Sequence, residues 1–303
     1  MTAKKSREHV FPRWLLRFLH RDPIPVVATR YAPDGTPLST RSHPLDKFVL
    51  GGVCRGCNHG WMNDLEGQAR PIIKACIDGS VSVRDLDRTQ CTILARWGVK
   101  TAACVNLASD SDKFFVASLV SELKNPLNLP EGLHVFAAQH APTEPSYWLQ
   151  AGNVEFFLPH DVPPSLETRR ELSGRGFRIG LQFGALCLFV VYWPLHNQWP
   201  LATWPDLHEP LWPPEIKYLQ AEHRYDGETN PLAVNSHLFL YRGLETLAAT
   251  SHVGGPFELA TQKNRAPHVS GPEPPGTGGF LPVPDVITPE IDRYIRAWLS
   301  KSK

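Results

Sequence analysis

Ser6-Arg7-Glu8-His9-Val10-Phe11-Pro12-Arg13-Trp14 is the stretch on which the reading of this chain turns, and Val53-Cys54-Arg55-Gly56-Cys57-Asn58-His59-Gly60-Trp61-Met62 is the segment that answers it. A carboxylate beside an imidazole, followed later by Cys-x-x-Cys running into an asparagine, is what a small site needs to hold a divalent cation next to a general base. Hydrolysing a phosphodiester requires that a water lose a proton, that charge developing at phosphorus be neutralised and that the leaving oxygen be stabilised. An imidazole titrating near neutrality suits the first task, which falls to His9. A carboxylate and an amide oxygen are ligands for a hard cation, which assigns Glu8 and Asn58 to the other two.

Taken together and in order, the two segments resemble the HNH (ββα-metal) endonucleases, in the variant reading Glu-His-Val-x-Pro first and Cys-x-x-Cys-Asn-x-x-Trp later. The resemblance covers about the first quarter of the chain. It implies His9 as general base, Glu8 and Asn58 as ligands of a divalent cation, most simply Mg²⁺, and DNA as the substrate. It also implies a structural zinc at Cys54 and Cys57, but two thiolates are two ligands short of a tetrahedral site. The family's earlier Cys-x-x-Cys has no room in Met1-Thr2-Ala3-Lys4-Lys5. The start lies upstream, or Cys76, Cys91 or a nearby histidine substitutes, or the zinc is gone. The family's middle asparagine has no counterpart, since no Asn precedes Asn58. The related proteins also carry a Trp-x-x-Lys helix, matched by Trp97 and Lys100.

Around Asn58 the local pattern is helical, with Trp61, Met62 and Leu65 following at three, four and seven residues and lining one face. Asn58 is expected at the helix start, where Asn also serves as a cap and the helix dipole favours phosphate. Glu66 lies eight residues on, more than ~10 Å along the axis, and is expected to be structural. His59 reads as a surface histidine and Lys100 as a surface lysine with its stem laid on apolar neighbours.

The chain has 303 residues, 42% hydrophobic and 20% charged, which allows a substantial core and two domains. No apolar run reaches membrane-spanning length and the N-terminus has no signal-peptide core, so no membrane partner and a cytoplasmic location are expected. Six cysteines are too sparse for a disulfide framework, and Cys76, Cys91, Cys104 and Cys187 read as buried thiols. The net charge of +1 hides an asymmetry: residues 1–75 hold 12 Lys/Arg against 6 Asp/Glu, so the remainder is net negative. Arg7, Arg13 and Arg17 lie in this basic end and are candidates for contacting nucleic-acid phosphates.

Along the chain, Phe11–Leu19 reads as a short helix, Val26–Thr29 and Phe48–Leu50 as strands, and Pro71 as the start of a new helical turn stopped at Asp78-Gly79. Asp87–Leu107 is the expected core helix, and Phe114–Leu123 a short one. Strand texture follows at Leu133–Ala137, Tyr147–Gln150, Val154–Phe157, Phe177–Phe183 and Ala185–Trp193, with Ala151-Gly152-Asn153 and Gly184 as turns. Residues 234–249 are loosely periodic, as a helix is, and Pro267–Pro284 is a Pro/Gly-rich tract. Thr288 and Pro289 open a terminal helix whose apolar face suits docking or a homo-oligomer.

The expected organisation is α+β. An HNH-like module at 1–80 is followed by a helical connection at 81–129 and a mainly antiparallel β-rich domain at 130–260. A linker at 261–287 and a C-terminal helix at 288–303 complete it. The expected function is a metal-dependent endonuclease acting on DNA. The alternative is a nuclease-derived protein that binds nucleic acid, or serves in interactions, without cutting.

Overall fold

The computed structural model describes residues 5–20, 25–31, 37–109, 113, 115, 117–125, 128–139, 147–152, 177–192, 209–212 and 245–250. Val154–Phe157, the Pro/Gly-rich tract and the terminal helix lie outside them.

Helices and antiparallel strands share one hydrophobic core, as the α+β expectation requires. Strand β1 (Lys5–His9) pairs antiparallel with β4 (Val49–Cys54) in a two-stranded ribbon, with Glu8 opposite Leu50 and His9 opposite Val49. The register shifts between Ser6 and Glu8, a bulge at Arg7. Helix α1 (Arg13–Phe18) follows β1 directly, with Pro12 at its N-cap and Leu15 and Leu16 buried.

Among the described residues the second sheet has eight strands: β2 (Pro25–Tyr31), β3 (Pro37–Pro44), β5 (Leu133–Gln139), β6 (Tyr147–Gly152), β7 (Phe177–Phe183), β8 (Leu186–Tyr192), β9 (Glu209–Trp212) and β10 (Glu245–Thr250). Their spatial order is β3-β2-β10-β6-β7-β8-β5-β9, with every neighbouring pair antiparallel. The sheet therefore draws on both the motif-bearing stretch and the strand-rich one. Residues 245–249 of the expected helix are strand β10, edge to edge with β2 and β6. Ala-Ala-Thr suits either state, and ladder pairing decides. Ala151 and Gly152, read as a turn, instead extend β6 against Arg178 and Phe177 of β7. Gly184 does turn the chain between β7 and β8, at φ 57°, with Phe183 paired to Leu186 across a two-residue loop.

Between β4 and the core helices the chain coils through α2 (Arg55–Cys57), a wider π turn (Asn58–Met62) and α3 (Asn63–Asp78). Gly60 breaks the helical dihedrals at φ −98°, ψ −117°, which kinks the path. Pro71 does not begin a new helix: α3 runs through it, since Gly67 and Pro71 are both exposed and water can serve the carbonyl that proline cannot. Leu65, Ala69, Ile72, Ile73, Cys76 and Ile77 form its buried face, and Gly79 ends it in the left-handed region at φ 77°.

Helix α4 (Arg88–Ala108) starts from a capping box in which Asp87 accepts from the Gln90 amide and Gln90 accepts from Asp87. From Leu94 to Asn106 every residue is buried, as for a helix enclosed on all sides. Its Gly98 faces the sheet: a methyl there would lie 3.3 Å from Leu188 and 3.9 Å from Val135 and Val190. The short helix α5 (Ala117–Glu122) falls within the expected one. Phe183 ties the layers together, its ring 5.5 Å from that of Trp97 and 5.7 Å from that of Phe11.

Candidate functional site

The β1–β4 ribbon, the kinked turn after Cys57 and the middle of α4 converge where the motif residues lie. Asn58 is not at the helix start. Cys54 caps α2, its sulfur accepting from the Cys57 amide at 3.1 Å, and Asn58 sits one turn in with helical dihedrals of −64° and −48°. Its side chain is thereby released from capping. Nδ2 donates to Ser6 Oγ at 3.2 Å and to the Arg7 carbonyl at 3.1 Å, while Ser6 Oγ donates to the Val53 carbonyl at 3.1 Å. This chain of bonds fastens the Cys-x-x-Cys-Asn segment to β1 immediately before Glu8. With Nδ2 so engaged, the amide oxygen of half-exposed Asn58 is the atom left to accept or coordinate.

Glu8 is held from behind. Lys100, on α4, reaches its Oε1 at 2.6 Å and Glu66 Oε1 at 2.9 Å. Glu66 also accepts from the indoles of Trp97 and Trp14, both at 2.9 Å. Five side chains from β1, α1, α3 and α4 are therefore joined through two carboxylates and one ammonium. Burial by itself would push the Lys100 amine down; the Glu66 and Glu8 carboxylates outweigh it and hold the amine above its ordinary value. Two carboxylates against one ammonium leave a formal negative charge, and Lys100 engages only one oxygen of Glu8.

Lys100 was expected at the surface. It is 1% exposed, because the second carboxylate makes burial of its charge tolerable. Glu66 has the structural role expected of it, and its link to Glu8 through Lys100 was not foreseen. A lysine inside the apolar run Trp97–Val105 was the available signal, since an unpaired charge is not buried there.

His9, half-exposed at the end of β1, accepts at Nε2 from Arg13 Nε at 3.2 Å. That bond occupies the Nε2 lone pair. Arg7, Arg13 and Arg17 are all exposed, and Arg13 and Arg17 lie one turn apart on α1. His59 is exposed, as expected.

Cys54 and Cys57 are half-exposed and differ in acidity. The bond with the Cys57 side chain, and next the Cys57 amide, lower the Cys54 thiol, while the same partnership and burial raise Cys57. Neither Cys76 nor Cys91 completes a zinc site with them: among the described residues no three His, Cys, Asp or Glu side chains gather into a metal-binding group. Cys76 and Cys104 are buried, and desolvation pushes each thiol up to about 11. Cys187 is buried and Cys91 half-buried.

The oxygen donors in the motif segments are the Glu8 carboxylate and the Asn58 amide, the ligand types that hard cations take. Among the described residues no helix is long and apolar enough to cross a membrane. In comparisons with known proteins, the chain matches no family model, no curated protein and no solved structure.

Proposed function

We propose that the protein is a metal-dependent endonuclease that hydrolyses phosphodiester bonds in DNA, with an HNH-like unit formed by β1, β4 and the helical segment that follows. The observation that carries the reading is the pair of bonds from Asn58 to Ser6 and Arg7, which joins the two distant motif segments beside Glu8 and His9. His9 serves as the general base once its Nε2, which accepts from Arg13, turns to the attacking water. Its task is to take a proton from the attacking water. Glu8 and the Asn58 amide oxygen would hold a cation such as Mg²⁺, which when bound supplies positive charge to the phosphoryl oxygens. Arg7, Arg13 and Arg17 align the backbone by phosphate contacts.

A second reading has its own support. Glu8 is already engaged by Lys100 and His9 by Arg13, an arrangement that also suits a protein retaining nucleic-acid contacts without cleavage. Supercoiled plasmid separates the two. Endonuclease activity predicts nicking that stops with chelator, returns with Mg²⁺ and falls about a hundredfold or more in Asn58→Ala. Retention of DNA in a shift assay without nicking under Mg²⁺ or Mn²⁺ would favour the binding protein.

A further inference from the structure

A cavity of about 550 Å³ opens between the kinked turn, α3, the first half of α4 and the end of α5. It falls in the ~300–1,000 Å³ range of small-ligand sites. Its wall includes three cationic side chains, Arg88, Arg96 and Lys124, against one acidic residue, Asp64. Arg96 is the unusual member. It is 7% exposed, its Nη2 donates to the Leu123 carbonyl at 3.2 Å, its Nε has no partner, and no carboxylate pairs with it among the described residues. Desolvation lowers its pKa, the mark of a cation taken from water without compensation. An anion in the cavity would supply the missing charge, and the start of α4 beside Arg88 adds the positive end of a helix dipole. Trp61 lines the same cavity and brings an aromatic ring to it, while Asp64 and Gln68, one turn apart on α3, bring an acceptor and an amide.

We propose that this cavity binds a nucleotide, with its phosphate at Arg96, Arg88 and Lys124 and its base against Trp61. The chemistry is that of a phosphate next to a flat, hydrogen-bonding ring, whether from a free nucleoside monophosphate or from an unpaired nucleotide of a strand. The site is separate from Glu8, His9 and Asn58, and the inference does not rest on phosphodiester cleavage.

The test titrates the full chain with AMP, inorganic phosphate and a single-stranded hexathymidylate, following tryptophan fluorescence and heat. Saturable AMP binding is expected, weakened roughly 5- to 150-fold by Trp61→Leu through lost stacking. Arg96→Lys and the exposed-site variant Lys124→Glu should each weaken it, the second without loss of folding. Tighter binding of the oligonucleotide than of AMP assigns the cavity to a strand, and the reverse assigns it to a free nucleotide; either supports the proposal. Absence of saturation with AMP and with the oligonucleotide into the millimolar range overturns it. So does binding indifferent to Lys124→Glu and Trp61→Leu, or inorganic phosphate binding as tightly as AMP.

Discussion

Lys100 lies between two carboxylates that would otherwise repel each other at the edge of the core, and it anchors one of them beneath the motif strand. Replacing it with methionine keeps the stem volume and removes the charge, leaving Glu8 and Glu66 half-buried and uncompensated. Lys100→Met should cost about 3–5 kcal/mol of unfolding free energy, read from urea denaturation. Because the folded amine is held above its ordinary value, its stabilisation is present at neutral pH and is lost as the pH rises through the alkaline range. A second outcome concerns the thiols. With Cys54 lowered and Cys57 raised, iodoacetamide near pH 7.5 should modify Cys54 ahead of Cys57, and peptide mass spectrometry reports the order. Equal rates would mean that the amide bond to Cys54 is not kept in solution. The pairing of Glu8 with Lys100 was hidden in the sequence because the residues are separated by 92 positions.

At the scale of elements, α4 and the sheet meet at Gly98, where the helix backbone comes within a side chain's reach of Leu188. Gly98→Val should destabilise by about 2–3 kcal/mol in denaturant titration, through overpacking. Gly98→Ala should be far milder, since a gain in helix propensity offsets the tight contact with the flexible end of Leu188. Equal effects would show that α4 does not sit against β8. The long helix was legible because Asp87, Gln90 and the apolar run after Leu94 agree as cap and core. The fate of Asn58 was not, because its expected capping role is taken by Cys54, whose sulfur sits in the right place only once the turn has formed. Residues 245–249 were misread for a related reason: their strand state depends on neighbours β2 and β6, more than 90 residues away.

Across the whole molecule, β2 and β3 enter the same sheet as β6 to β10, and α4 rests on β5, β7 and β8. A fragment ending at residue 129 would thus expose the apolar face of α4 and leave β2 with one neighbour. It should lack a cooperative thermal transition, and a sharp one would show that the first part folds by itself. The α+β class was visible from alternating textures along the chain, whereas the place of the β2–β3 hairpin in the large sheet has no local signature. The proposed function rests on the joining of the Glu8-His9 strand to the Asn58 turn. Its most direct test is the rate of plasmid nicking under Mg²⁺ for the native protein and for His9→Ala, with both melting at the same temperature. The account predicts metal-dependent nicking by the native chain and a loss of about a hundredfold or more in the variant. Nicking that persists undiminished in His9→Ala would contradict it.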